Sequence, residues 1–523
     1  MSALNDDPDG VVSISEGSLM PNQSQVILRC SEQDSEVRDF PIDKEDTLIG
    51  RAAECDIQLD DPSASRFHAT LRVAADGIWL LDMESTNGTV IEDKLIPPNR
   101  RIALRPGQSF RIGRYAFTAV ISEHKETMGT MIAPSLARPR MYDVEALRQA
   151  EFPHMLDWIN LDNAAGAPAP VRTINKMKQI LDERIANPRW HIGNYLLELM
   201  GSFTGAAAAL VNAESPGEIV YVEGCSVGLN LFAQSLELAK GDNIVLCDLE
   251  HAANVYPWMS LQRKGVIIKQ IPAVDGGLTL ASLSAAVDGR TRIVAASAVQ
   301  FFTGHRTDLT AIGKFCREQG ILFVVDAIQA VGHIPIDVRA MNIDVLVTGA
   351  HKSLMASPGN GFMYVREAVC AGLKPRVVGS LSTTNSPNSL NYDMTPQPGA
   401  ARLLLGTPSV EGMAGIIESI GLITELGREA IDRHTTHLAA RALRTGEERG
   451  YKLTTTAGEH GPIATFKSRV GKDETGALVQ RLEDQGITLA GQVDRGGEAH
   501  FRMSFHCYNT EQELARAFDA LTE

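Results

Sequence analysis

No two of the seven cysteines (Cys30, Cys55, Cys225, Cys247, Cys316, Cys370 and Cys507) form a C-x-x-C pair. That spacing excludes a zinc ribbon and a disulfide frame, and it predicts a reducing, cytoplasmic setting with no bound metal. No run of 18 apolar residues occurs, so no membrane-spanning helix is expected. There is no basic excess either. Lys and Arg number 49 against 64 Asp and Glu, a net charge of -15. Such a balance weighs against nucleic acid or an anionic membrane as partner. The first residues, Met1-Ser-Ala-Leu-Asn-Asp-Asp-Pro-Asp9, are acidic and lack an apolar stretch, so no secretory signal is expected. What is present is an ordinary soluble composition, 44% hydrophobic and 22% charged. At 523 residues the chain is too long for one core.

The two halves differ in pattern. Short apolar runs at 25–29, 47–50, 56–59, 68–73, 78–82, 89–91, 108–113 and 115–120 are separated by Asp, Gly, Pro and Asn turns. They predict a β-sandwich. From residue 159 onward, strand patterns alternate with helical ones, which predicts a parallel sheet covered by helices. The expected organisation is a disordered stretch at 1–23, a sandwich at 24–123, a linker at 124–145 and an α/β unit at 146–523. That unit should hold a large part at about 160–400 and a small α+β part at about 410–523.

Two strands of the second half carry chemistry. Ile321-Leu-Phe-Val-Val-Asp326 is an apolar strand that ends on an acid. Asp344-Val-Leu-Val-Thr-Gly-Ala-His351-Lys352 is a second, followed by a lysine and a Gly-Pro loop. Ligands of open α/β sheets bind beyond the carboxyl ends of strands. An amine and a carboxylate offered to one crevice suit pyridoxal phosphate (PLP), which needs a lysine for its Schiff base and an acid for its ring nitrogen.

In the first half, Gly50-Arg51, Ser65-Arg66-Phe67-His68-Ala69 and Ser85-Thr86-Asn87-Gly88-Thr89 resemble the three signatures of the forkhead-associated (FHA) domain. The resemblance implies loops that bind a phosphothreonine peptide. Arg51 and Ser65 would contact the phosphate, with Arg66 and Thr86 nearby and Asn87 on the peptide backbone. His68 is expected to be structural. Ala52 stands where the family often has a small hydroxyl residue. A rigid guanidinium fork and a hydroxyl are what a phosphate dianion requires. The ligand would be another phosphorylated protein or this chain's own linker, phosphorylated at Thr127 or Thr130.

The second half resembles the class V aminotransferases, fold-type I PLP enzymes that include cysteine desulfurases. Asn160-Leu-Asp-Asn163-Ala-Ala, Glu223-Gly-Cys-Ser226-Val227-Gly-Leu-Asn, Glu250-His251-Ala-Ala-Asn-Val-Tyr-Pro-Trp and Arg402-Leu-Leu-Leu-Gly-Thr407-Pro follow the family's motifs in order. The resemblance implies that Ser226 and Val227, at a helix start, hold the cofactor phosphate and that His251 stacks on the ring. Gln300 and Gln329 would reach the phenolic oxygen and Asp326 the ring nitrogen. His351 precedes Lys352. Gly349 stands where desulfurases usually carry a phosphate-binding serine, and Thr348 lies one residue further back. Thr407 would reach the cofactor of the opposite subunit, which implies a homodimer with shared active sites. Arg502, with Asn163, would bind the carboxylate of an amino-acid substrate.

One feature of the desulfurases is missing. Their nucleophilic cysteine lies on a loop before the terminal arginine, and no cysteine occurs between Cys370 and Cys507. Persulfide formation on the protein therefore gives way to chemistry that needs only PLP, Lys352 and His251. C–S or C–Se lysis, amino transfer and epimerisation all remain, as does an adaptor whose PLP fold is inactive.

Overall fold

The computed structural model describes residues 25–122 and 142–521, apart from 33–37, 43–45, 53–54, 60, 75–76, 92–93, 105–107, 189–190, 386–389, 391 and 457. The stretch expected to be disordered, at 1–23, and most of the expected linker, including Thr127 and Thr130, lie outside the described residues. The chain divides into two compact units between Ser135 and Leu136.

The first unit is a sandwich of two sheets. One has the order Arg38–Ile42, Gln25–Glu32, Tyr115–Ser122, Ser109–Ile112, Val90–Ile91, Lys94–Leu95. The other runs Ile57–Gln58, Asp46–Gly50, Ala69–Ala74, Gly77–Asp82, Arg101–Leu104. Alternate side chains turn inward, as strand geometry demands. Leu28, Ile49, Leu71, Leu80, Ile112 and Phe117 are fully buried between the sheets. The eight strands expected from the sequence are present, and Arg38–Ile42, Lys94–Leu95 and Arg101–Leu104 are additional. The first of these contains Pro41. A proline cannot donate to a ladder, and this strand lies at the edge of its sheet.

The second unit is built on a seven-stranded sheet ordered Ile219–Val222, Gly361–Val365, Val345–Gly349, Leu322–Asp326, Thr291–Ser297, Asn243–Cys247, Ile267–Ile271. The central strands are buried on both faces, which explains their unbroken apolar sequences. The expected parallel sheet needs one correction. Gly361–Val365 runs antiparallel to both neighbours. Only residues 350–360 connect it to Val345–Gly349, which is too short for a crossover helix.

A smaller three-stranded antiparallel sheet joins Ile463–Lys467, Ala499–Ser504 and Ala490–Val493. Helices Arg428–Glu448, Lys472–Asp484 and Glu511–Ala520 contribute Leu438, Leu482 and Phe518 to its core. The expected boundaries shift in three places. Helix Val410–Leu426 packs on helices Val171–Ala186 and Ile192–Val211 of the large part, so the break falls at Gly427 rather than near 410. Ile159–Asn160 pairs with Ile487–Thr488, which ties the start of the expected large part to the small one. The expected linker ends earlier than 145. Tyr142 donates to the Cys507 carbonyl, and Asp143 caps helix Val144–Glu151.

Candidate active site and phosphopeptide loops

Asp326 closes its strand, and the parallel neighbour Val345–Gly349 runs on into the turn that carries Lys352. Ser226, Val227, His251, Asp326, Gln329, His351 and Lys352 line one cavity of about 280 Å³. These seven residues were selected from the sequence, and the fold brings them together.

Each wall has a local cause. Ser226 and Val227 lie in the first turn of helix Cys225–Gln234, whose N-cap, Gly224, has φ +144° and supplies no capping side chain. The uncapped amides of that turn stand on the cavity wall, an arrangement suited to an anion. Asp326 is 4% exposed, and its Oδ1 accepts from the Ile328 amide at 3.1 Å. Burial lowers the affinity of the Lys352 amine for its proton, and Asp326 partly opposes that shift. Burial, and then the neighbouring Lys352 charge, likewise hold His251 and His351 below the usual histidine range. An amine that loses its proton readily is what both bonding to an aldehyde and proton abstraction require.

A cavity with a buried acid on one side, a lysine at its floor and an uncapped helix start on its wall fits PLP. Lys352 would hold the cofactor's aldehyde carbon, Asp326 its ring nitrogen, and Ser226 with the helix start its phosphate.

Other expected residues are placed differently. Thr348 is fully buried within its strand, and its hydroxyl donates to the Gly349 carbonyl at 3.1 Å. It does not line the cavity. Asn163 is 1% exposed and its amide is saturated. It donates to the Ser504 carbonyl at 2.7 Å and to Asn509 Oδ1 at 3.1 Å, and it accepts from the Tyr508 hydroxyl at 2.7 Å. These bonds tie Asn163 to the segment 504–509, and it does not line the cavity. Gln300 is not on the cavity wall. Its Nε2 donates to Glu250 Oε1 at 3.3 Å, while its buried Oε1 has no hydrogen-bond partner. Thr407 is exposed and off the cavity. Arg502 is 4% exposed. It donates to Asp162 Oδ1 at 2.7 Å and to the Phe301 carbonyl at 2.8 Å, and its Nε is unpartnered.

Sequence reasoning passed over Glu250. Burial raises this acid to about 7 even though Ser297 and Asn254 donate to it. Its only signal in the sequence was an acid at the end of an apolar run, directly before His251. All seven cysteines are buried, and burial pushes the thiols of Cys225, Cys247, Cys316, Cys370 and Cys507 upward. Cys225 does line the cavity, and the Asp326 carboxylate adds to the effect of burial in pushing its thiol upward.

In the first unit the expected phosphate loops are mutually braced. Ser65 Oγ accepts from the Thr86 amide at 2.9 Å, and Arg51 Nε donates to the Ala64 carbonyl at 3.2 Å. Arg51 and Arg66 are exposed. Asn87 Nδ2 donates to the Ser63 carbonyl at 2.7 Å. His68 is fully buried; its Nδ1 accepts from the Ser65 amide at 3.0 Å. A Cβ on Gly50 would come within 2.4 Å of the Arg66 carbonyl, so only glycine allows the two arginine loops to meet.

The model of the aminotransferase class-V family matches residues 159–517, and that of the FHA domain matches residues 47–113. A cysteine desulfurase of Salmonella typhimurium is 31% identical over 407 residues, 73% of this chain and 98% of the relative. A probable cysteine desulfurase of Methanothermobacter thermautotrophicus is 30% identical over 288 residues, 54% of this chain and 71% of that protein. The solved cysteine desulfurase of Thermococcus onnurineus superposes with a TM-score of 0.66 at 24% identity, covering 74% of this chain and 98% of that one. With the cavity, its lysine and acid, and the family match in hand, the chain belongs to the class V aminotransferase family of PLP-dependent enzymes, and an FHA domain precedes the enzyme unit.

Proposed function

We propose that the enzyme breaks the bond between Cβ and sulfur (or selenium) of an amino acid without using a thiol of its own. The observation that carries this reading is the pairing of an equipped cavity with seven buried cysteines, none on the hairpin Ala490–Val493 to Ala499–Ser504. PLP, when bound, supplies the sink for the electrons released at Cα. Lys352 would anchor the cofactor and then take the Cα proton. Asp326 would keep a positive charge on the ring nitrogen. His251 would restrain the ring face, Gln329 would reach the ring oxygen, and Ser226 with Val227 would hold the phosphate. Arg502, held beside the cavity by Asp162 and the Phe301 carbonyl, binds the substrate carboxylate. As Cβ–S breaks, the sulfur leaves with the bonding pair and takes up a proton.

The reading extends to the rest of the chain. The FHA loops bind a phosphothreonine peptide through Arg51, Ser65 and Arg66. The enzyme works as a homodimer in which Thr407 reaches the neighbouring site. Exposed Ile185 and Leu197, 86% and 81% accessible, support such a contact. A cytoplasmic location accords with seven buried cysteines, none of them in a C-x-x-C pair.

A panel of amino acids tests the proposal, with pyruvate, sulfide and keto-acid-dependent amino transfer as readouts. Pyruvate and thiol from a β-thioether, undiminished after iodoacetamide, are expected. Turnover that appears only as amino transfer, or that iodoacetamide abolishes, contradicts it.

A further inference from the structure

A second cavity, about 330 Å³, opens beside the first, and Phe301 lines both. Its walls come from two places. Asp248, Leu249, Glu250, Phe301 and Phe302 belong to the large part, and residues 492–495 form the tip of the small part's hairpin. That hairpin is the segment that lacks a cysteine. Arg495 spans the cleft. Its guanidinium lies 3.3 Å from Asp248 Oδ2 and also donates to the Asp248 carbonyl.

We infer that this cleft holds the far end of the substrate's side chain, and that the far end is itself an amino-acid head carrying both an ammonium and a carboxylate. The inference rests on the lyase reading and names its substrate class.

The argument is one of charge and size. Phe301 lines both cavities, so a substrate side chain that continues from the first past Phe301 would enter the second, and a short one would leave about 330 Å³ unfilled. An ion pair on a cavity wall is complementary to a zwitterion. A ligand carboxylate takes the place of Asp248 on Arg495, and the ligand ammonium takes the place of Arg495 on Asp248. Neither charge is left alone in the exchange, which avoids the main cost of inserting a charged head. The pair also yields easily, because the Arg495 side chain is 63% exposed and exposed ion pairs contribute little. A purely anionic head is disfavoured, since Asp248 and Asp494 face the cleft. A purely cationic head would use Asp248 alone and gain nothing from Arg495.

Two assays on the holoenzyme decide the matter. In the first, kcat/KM is compared for L-cystathionine, which has a distal amino-acid head, and S-methyl-L-cysteine, which has none. In the second, the cofactor's visible absorbance is titrated with diaminopimelic acid and with L-norleucine, which contain no C–S bond. The two-headed probe should lead in both assays by about tenfold or more, the weight of a charge-assisted contact. Arg495→Ala should collapse both preferences, and Arg495→Lys should restore part of them. Equal values for the paired probes, or preferences that survive Arg495→Ala, overturn the inference, while turnover of S-methyl-L-cysteine leaves the lyase reading standing. If neither thioether is turned over, the lyase reading fails, and the titration alone decides the subsite.

Discussion

The Arg502 guanidinium donates to Asp162 Oδ1 at 2.7 Å, across the join between strand Ala499–Ser504 and the stretch that follows Ile159–Asn160. The ion pair aims a buried arginine whose Nε remains unpartnered. Lysine in its place keeps the charge but loses the fork. Arg502→Lys should therefore raise KM for amino acids more than it lowers kcat, and leave cofactor absorbance in place. A variant with an unchanged KM would remove Arg502 from substrate binding.

Asp326→Asn should retain PLP, because the anion site at Ser226 and the lysine are untouched. The rate should fall by orders of magnitude, since a neutral amide cannot hold a proton on the ring nitrogen. Near-normal turnover in the purified variant would show that another group serves the ring.

Arg51→Ala should strongly weaken binding of phosphothreonine peptides to the full chain, as followed by fluorescence polarisation against a peptide library. Hydrogen bonds to charged groups contribute roughly 1.5–3 kcal/mol, which is a loss of about tenfold to a hundredfold. An Arg51→Ala variant that binds as the wild type does would transfer the phosphate contact to Arg66.

Glu250 gives the stability a pH dependence of definite sign. Burial raises this acid from 4.5 to about 7. Folding then takes up a proton between those values, so the contribution is full below about 4.5 and is lost as pH rises through about 7. Glu250→Gln removes the titration. Denaturation between about pH 5 and about pH 8 should shift in the variant's favour, by on the order of 3 kcal/mol at most. A difference that stays constant with pH would contradict the buried, protonated acid.

Much of the site was readable because its residues stand where periodicity breaks. Asp326 and Lys352 end buried apolar strands, and a charge at such a place signals a crevice. His251 and Ser226 likewise follow strand-to-helix turns. The misplaced residues share a different cause. Thr348 sits inside its strand, where alternation decides which way a hydroxyl points, and the motif did not carry that phase. Asn163 is taken by Tyr508 and Asn509, more than 300 positions away in the chain, and no local pattern announces such a contact. The antiparallel turn of Gly361–Val365 was masked by its apolar sequence, since buried strands read alike in either direction. Pro41 hid an edge strand for the opposite reason, because proline suppresses the strand signal that burial would otherwise give.

The central claim is that Lys352 is the residue that carries PLP, and one measurement addresses it directly. The purified protein is reduced with borohydride, digested, and its peptides are weighed by mass spectrometry. The account predicts a phosphopyridoxyl group on the peptide containing Lys352, and its loss in Lys352→Ala together with the visible absorbance. A label on a different lysine, or a colourless protein that takes up no PLP, would contradict it.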